Sequence, residues 1–195
     1  ALGRMLALLG LPYLVYAYGF EFLKFRRSGL ARYLLRSIYD RARRVIAISG
    51  FAREGLMTLG VSPERIDVLP PGVEHEAASA PLDEAPAVLP EGHGPFVLSV
   101  TRLVRRKGLD VLAEAMERVL DRHRDLSWVI VGRGPEEARL RTLTAAPTFA
   151  GRVHLTGRVE AHTLEALYRR ATLFALTPVE LPGDAEGYGI VYLEA

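Results

Sequence analysis

Apolar residues along the chain occur in two alternating patterns. Short continuous runs bounded by glycine, proline or polar residues are typical of buried strands. They predict strands at residues 13–18, 44–49, 66–69, 96–101, 127–131, 153–156 and 172–176. Between them, apolar residues at helical spacing predict helices at residues 29–43, 51–59, 108–124, 135–145 and 163–171, and a last helix that begins near Tyr188. Strict alternation of strand and helix indicates an α/β protein with parallel sheets.

A change of composition separates the two halves of the chain. Residues 76–93 are rich in Ala, Pro, Glu and Gly and show neither helical nor strand periodicity, which is typical of a linker. We therefore predict two domains, at residues 1–75 and 94–195. The chain begins at Ala1 without Met and stops at Ala195 inside a predicted helix, so we expect both domains to be truncated.

Residues 5–20 carry no charge and allow two interpretations. One is a signal peptide with Arg4 as its basic start. The other is the end of a helix, a turn at residues 10–12 and a buried strand at residues 13–17. Pro12 interrupts the apolar run and no small-residue cleavage site follows, which favours the second interpretation.

Composition limits the classes of function. The formal net charge of +2 is too small to indicate a nucleic-acid partner. The absence of cysteine excludes disulfides, thiolate catalysis and cysteine-based zinc sites. The five histidines are scattered, and none pairs with another at metal-ligand spacing, so we expect no metal site.

Three polar groups follow predicted strands of the second half, where α/β sheets bind ligands. Arg102 and Lys107 follow the strand at residues 96–101. They can clamp a diphosphate, although a solvated turn also explains them. Residues 132–134 (GRG) follow the next strand and are also explained by turn chemistry alone, because the third glycine of a dinucleotide fingerprint is missing.

The third group lies between Glu186 and Glu194. Gly187 and Gly189 predict a turn before a helix, whose backbone N–H groups can bind a phosphate. The two carboxylates can accept hydrogen bonds from sugar and ribose hydroxyls. A favourable charge at a helix N-terminus and an exposed helical residue explain them equally. Together, the three groups predict a nucleotide-sugar pocket.

Several segments resemble family 4 glycosyltransferases, which are retaining enzymes of the GT-B fold with two Rossmann-like domains. Those in the second half are VTRL (100–103) with Lys107 and Gly108, IVGRGP (130–135), VHLTGRV (153–159) and EGYGIVYLEA (186–195). Those in the first half are YGFE (18–21), VIAISGF (45–51) and LPPGV (69–73). The second set resembles the end of the family's first domain.

The resemblance implies a role for each matching residue. Arg102 and Lys107 would bind the donor diphosphate and stabilise the leaving nucleotide as charge develops on it. Glu186 would contact the donor-sugar hydroxyls and support the reacting face, which makes these three residues the catalytic candidates. Glu194 would accept hydrogen bonds from the ribose. Backbone N–H groups of the turn would contact the sugar and phosphate: Gly187, Tyr188, Gly189 and Ile190.

The resemblance also implies a front-face mechanism with retention and without a metal or other cofactor. The donor would be a GDP-mannose-like or UDP-sugar, and the acceptor a lipid, a saccharide or a small molecule. Tyr18 and Gly19 stand where the family has His-Gly, so Tyr18 is either a contact to the donor sugar or a residue of the core or pocket wall. The family's N-terminal glycine-rich loop and its final elements are absent, so we expect the chain by itself to be inactive.

Residues 24–44 contain eight basic residues and one acid, Asp40. In the family such a surface rests on anionic lipid, and a solvated helix face is the alternative. We expect a cytoplasmic protein, and peripheral membrane contact through this segment stays open beside the solvated helix face. Two other functions stay open: an epimerase or phosphorylase on the same fold, and a non-catalytic nucleotide-sugar-binding module. A phosphorylase is disfavoured because Lys24 and Lys107, the only lysines, lack a pyridoxal-phosphate setting.

Overall fold

The structure is a computed structural model that describes residues 2–19, 28–72, 88–89, 94–149, 151–182, 184, 186 and 188–195. Parallel sheets alternate with helices, which confirms the predicted α/β class. The chain separates into two compact units. Unit 1 comprises Ala1–Gly72 and Glu180–Gly189, and unit 2 comprises Val73–Val179 and Ile190–Ala195.

Unit 1 contains a three-stranded parallel sheet in the order β1-β2-β3. Its strands are β1 (Leu14–Ala17), β2 (Arg44–Ala47) and β3 (Ile66–Val68). Its helices are α1 (Leu2–Leu8), α2 (Gly29–Arg41) and α3 (Gly50–Leu59), and a 3₁₀ turn (Pro63–Arg65) precedes β3.

Serine side chains cap the N-termini of two of these helices, and serine is one of the preferred residues at this position. Ser28 Oγ accepts a hydrogen bond from Ala31 N at 3.3 Å at the start of α2, and Ser49 Oγ accepts one from Ala52 N at 3.2 Å at the start of α3. The helix α3 ends at Gly60, whose φ of 97° is the left-handed conformation that favours glycine.

The strand β1 is less buried than its apolar sequence predicts. Ala17 is fully buried, but Leu14 and Tyr16 are 59% and 51% exposed. Alternate residues of a strand face opposite sides of the sheet, and the side that carries these two residues is open in the described part of the chain. The expectation of a buried strand at residues 13–17 was therefore wrong for the side that carries Leu14 and Tyr16.

Unit 2 contains a four-stranded parallel sheet in the order β6-β5-β4-β7. Its strands are β4 (Phe96–Val100), β5 (Ser127–Val131), β6 (Val153–Gly157) and β7 (Leu173–Phe174). Its helices are α4 (Leu109–Arg122), α5 (Glu137–Thr144), α6 (Ala161–Arg170) and α7 (Val191–Glu194), with a 3₁₀ turn (Arg105–Lys107) before α4. Among the described residues, no helix has the length and hydrophobicity needed to cross a bilayer.

Helices cover both faces of the unit 2 sheet. On one face Trp128 and Ile130 pack with Leu112 of α4 and Leu140 of α5, and on the other Val129 lies in a cluster with Leu167 of α6. This three-layer arrangement is typical of Rossmann-like domains. It buries four of the five residues of β4 and of β5, and the loops that follow the strands lie at their carboxyl ends.

The end of unit 2 differs from the prediction in two places. Strand β7 is shorter than residues 172–176, and the chain beyond it binds the segment that follows β4. Thr177 Oγ1 donates to Gly108 O at 2.6 Å, and Val179 N donates to Arg106 O at 2.8 Å. The last helix begins at Val191 rather than near Tyr188, which packs against the core of unit 1.

Candidate functional site

A cleft of about 750 Å³ opens at one edge of the unit 2 sheet. It is formed by residues at the carboxyl ends of three adjacent strands and by the start of α6: Val100, Thr101, Arg102, Val131, Gly132, Arg133, Arg158, Val159, Glu160 and Leu164. Parallel α/β sheets bind ligands at this edge. The volume lies in the range of small-molecule and cofactor sites.

Two glycines allow the loops after β4 and β5 to lie against each other beside the cleft. The φ angle of Gly132 is 140°, and a Cβ added there would lie 1.8 Å from Thr101 O. A Cβ at Gly134 would lie 2.2 Å from Leu103 O. Leu103 N donates to Arg133 O at 3.0 Å and fixes the contact. Backbone packing therefore requires both glycines, whether or not the loop also contacts a ligand.

The cleft carries four exposed charged side chains: Arg102, Arg133, Arg158 and Glu160. In the described part of the chain, no hydrogen bond or ion pair engages these side chains. Arg139, on α5, differs from them because it bridges Asp110 at 2.9 Å and Glu136 at 3.2 Å. Three guanidiniums and one carboxylate make the cleft electropositive, which favours an anionic ligand.

Sequence reasoning found only one of these four side chains. Arg102 was a candidate, and the backbone loop around Arg133 was noted, but Arg158 and Glu160 were not singled out. Both directly follow the strand predicted at residues 153–156. Ligands bind at the carboxyl ends of parallel strands, and the same rule applied to that strand would have found both residues.

Lys107 occupies a different position from Arg102. It ends the 3₁₀ turn that follows β4 and is only 8% exposed, and it does not line the cleft. The next residue, Gly108, has a φ of 61°, and a Cβ there would lie 1.8 Å from Thr177 O. The structure thus places the two predicted cations in one loop, with the guanidinium at the cleft and the lysine buried beside it.

Glu194 belongs to α7 of unit 2, and its carboxylate contacts α6. Glu194 Oε2 accepts a hydrogen bond from the Tyr168 hydroxyl at 3.1 Å. Burial, and then the nearby Glu194 carboxylate, raise the pKa of Tyr168 above its usual value. Tyr168 lies four residues after Leu164, which lines the cleft, and residues at this spacing share one face of a helix. Ile190 directly precedes α7 and is exposed.

Tyr18 and Gly19 lie in unit 1, just after β1. Tyr18 is 54% exposed. Gly19 is buried with a φ of 102°, and a Cβ there would lie 3.1 Å from the ring of Phe51. The positive φ of Gly19 and its close contact with α3 both favour glycine, and the exposed Tyr18 ring is not a core residue.

The segment from Glu180 to Gly189 also belongs to unit 1 by its contacts, whereas the sequence assigned it to the second domain. Its physical link is Tyr188, which packs against the core of unit 1. Glu186 is partly buried and Gly189 is buried. Gly187 lies outside the described residues. The described residues contain no cluster of three or more His, Asp or Glu side chains placed to hold a metal ion.

The fold and the cleft define an α/β protein with parallel sheets and a site suited to an anionic ligand. Residues 83–195 match the family model of glycosyl transferases group 1, and residues 1–77 match that of glycosyltransferase family 4. The first match covers more than half of the chain, so the protein belongs to the glycosyl transferase group 1 family. The resemblance found in the sequence is thereby confirmed.

Similar proteins include two bacterial glycosyltransferases. The GDP-mannose-dependent alpha-(1-6)-phosphatidylinositol monomannoside mannosyltransferase of Mycolicibacterium smegmatis is 35% identical over 85% of this chain and 45% of its own length. The putative colanic acid biosynthesis glycosyltransferase WcaL of Escherichia coli is 30% identical over 82% of this chain and 38% of its own length. The chain therefore spans less than half of these relatives.

Solved structures show the same fold. Anabaena HepE in complex with UDP has a TM-score of 0.76 at 18% identity, over 98% of this chain and 52% of its own. The lipopolysaccharide outer core galactosyltransferase WaaB has a TM-score of 0.65 at 18% identity, over 99% of this chain and 49% of its own. The predicted GT-B fold is confirmed.

Proposed function

We propose that the protein is a glycosyltransferase that transfers a sugar from a nucleotide-diphosphate sugar to an acceptor. The observation that carries the proposal is the electropositive cleft of unit 2 in a member of this family. Neighbouring strands lie about 4.8 Å apart, so the ends of β4 and β6 are separated by about 10 Å. A ligand that spans the cleft can therefore contact the ends of both strands.

The cleft has two chemically different ends, which orient such a ligand. At the β4 end, Arg102 binds the diphosphate and stabilises the charge that develops on the leaving nucleotide. At the β6 end, Val159 and Leu164 supply apolar surface for the base. Glu194 accepts hydrogen bonds from the ribose. For Glu186 and the backbone of residues 187–190, the family resemblance alone supports a contact with the donor sugar.

The donor is proposed to be GDP-mannose or a similar nucleotide sugar, with a UDP-sugar as the alternative. The name of the mycobacterial relative, which is GDP-mannose-dependent and acts on a phosphatidylinositol mannoside, supports this donor and a lipid or saccharide acceptor. Retention of configuration, independence of metal ions and a cytoplasmic location are proposed from the family resemblance.

Calorimetric titration of the full-length protein with GDP, UDP and ADP tests the proposal. We expect one nucleotide to bind tightly and the Arg102→Ala variant to bind it roughly 10- to 30-fold more weakly, because a charge-assisted contact of about 2 kcal/mol is lost. Arg118→Ala is the matched control, since Arg118 is an exposed arginine of unit 2 outside the cleft.

Equal, weak binding of all three nucleotides, or an equal loss in both variants, would contradict the proposal. Release of free sugar from GDP-mannose or UDP-glucose by the full-length protein separates an enzyme from a non-catalytic binding module. A binding module retains the nucleotide affinity but releases no sugar.

Peripheral membrane contact through residues 24–44 is also proposed. In the described residues, α2 exposes Leu30 and Tyr33, which are 70% and 65% exposed, beside the exposed Arg32. Other cations of the segment are engaged within unit 1: Arg36 pairs with Asp40, and the Arg44 guanidinium pairs with both carboxylate oxygens of Asp67. The segment from residue 24 to residue 27 lies outside the described residues, so the exposed face of α2 carries this proposal, and co-sedimentation with anionic vesicles tests it.

A further inference from the structure

Tyr168 is joined to Glu194 by a hydrogen bond between two helices of unit 2. The tyrosine lies on α6 and is partly buried, and its hydroxyl donates to Glu194 Oε2 at 3.1 Å. A tyrosine phenol is protonated at neutral pH and acts as a donor to the carboxylate, and burial and the carboxylate raise the pKa of Tyr168 further.

Contacts among three aromatic rings connect the two helices. The rings of Tyr168 and Phe174 have centroids 5.9 Å apart, and those of Phe174 and Tyr192 are 5.7 Å apart with an edge-to-face angle of 86°. The Tyr192 hydroxyl also donates to Leu176 O at 3.3 Å. The three rings therefore form a row that runs from α6 over β7 to α7.

Helix α7 carries Glu194, and the aromatic row joins this helix to α6. Glu194 is exposed and has several rotatable bonds, so without a partner its carboxylate would sample many positions. The Tyr168 hydroxyl restricts one carboxylate oxygen and leaves the other oxygen available to a ligand.

We propose that Tyr168 is a positioning residue that orients the Glu194 carboxylate to accept hydrogen bonds from the ribose hydroxyls of the donor nucleotide. The inference rests on the proposed function. It adds Tyr168 to the proposed nucleotide site. Tyr168 acts through Glu194, so its effect on affinity requires the ribose hydroxyls of the nucleotide. A structural role of Tyr168 in packing alone would affect all ligands of the cleft equally.

The test compares GDP and UDP with their 2′,3′-dideoxy forms by calorimetric titration of the full-length protein. The variants are Tyr168→Phe, Glu194→Ala and the double variant. Phenylalanine keeps the ring contacts with Phe174 and removes only the hydroxyl, so the fold is preserved, and thermal unfolding of each variant verifies this. Tyr16→Phe is the matched control, because it removes the hydroxyl of an exposed tyrosine of unit 1.

We expect Tyr168→Phe to weaken the better-bound nucleotide about five- to tenfold and to leave its dideoxy form unchanged. In the Glu194→Ala background the same substitution has no further effect, because the two residues act as one unit. An unchanged preference for the ribose hydroxyls in Tyr168→Phe, or additive effects in the double variant, would overturn the inference alone. Failure of the wild-type protein to bind GDP or UDP would overturn the proposed function and the inference with it.

Discussion

Replacing Gly132 with alanine tests the claim that a close approach of two backbones builds the cleft. The φ angle of Gly132 is 140°, a region that other residues rarely adopt, and the added Cβ would lie 1.8 Å from Thr101 O. A backbone oxygen cannot rotate away as a side chain can. Relief requires the loops after β4 and β5 to separate.

The cost has two parts. The unfavourable backbone conformation costs about 1–3 kcal/mol. Separation of the loops weakens the hydrogen bonds from Gly132 N to Gly157 O (2.8 Å) and from Thr101 N to Val131 O (3.0 Å), at about 1 kcal/mol each. We therefore expect Gly132→Ala to lower the free energy of unfolding by about 3–5 kcal/mol.

Gly151→Ala is the matched control. Gly151 also has a positive φ, 73°, but a Cβ added there would have no atom within 4 Å, so only the backbone strain of about 1 kcal/mol remains. The difference between the two variants reports the steric contact together with any stronger backbone strain at Gly132. Urea unfolding followed by the fluorescence of Trp128, the single tryptophan, reports on unit 2, because this residue is fully buried in the centre of its sheet.

With a urea dependence of about 2 kcal/mol per molar, the midpoint should fall by about 2 M in Gly132→Ala and by about 0.5 M in Gly151→Ala. Nucleotide affinity should fall in Gly132→Ala and stay unchanged in Gly151→Ala. Equal midpoint shifts in the two variants would refute the reasoning, because the contact with Thr101 would then add nothing to the strain.

Two further predictions concern Tyr168 in unit 2 and the exposed face of α2 in unit 1. Between pH 9 and 11 the unfolded state loses a proton from Tyr168 that the folded state keeps, because the pKa of Tyr168 is raised in the fold. Stability should therefore fall as pH rises through this range, and fall less in Tyr168→Phe, as measured by urea unfolding at each pH; parallel curves would contradict this. Replacing Leu30 and Tyr33 with serine should abolish co-sedimentation with phosphatidylserine vesicles, whereas Val111→Ser, on unit 2, should not; retained binding in the double variant would contradict the proposed contact.

Much of unit 2 could be predicted from sequence, because its strands and helices have strong local signals. The continuous apolar run at β5 and the amphipathic helix α4 have the periodicities of buried elements, and both lie where they were predicted. The position of Arg102 at the cleft followed from the rule that loops after parallel strands bind ligands.

The features that sequence did not predict depend on contacts between residues distant along the chain. Tyr188 looks like the start of a helix by its neighbours, but it packs against the core of unit 1. The hydrogen bond between Tyr168 and Glu194 spans 26 positions and has no signature in the local pattern. The apolar residues of β1 indicate a strand, but periodicity carries no information about what covers each face.

In the cleft, the residues that maintain the loop conformation are different from the residues whose side chains face solvent. The loops are locked by glycines and backbone hydrogen bonds, whereas Arg133, Arg158 and Glu160 are solvent-facing and bonded to no other described side chain. Substitutions at such exposed positions usually alter stability by less than about 0.5 kcal/mol. Substitutions at these three positions can therefore change which anionic ligand the cleft accepts while the loops keep their structure.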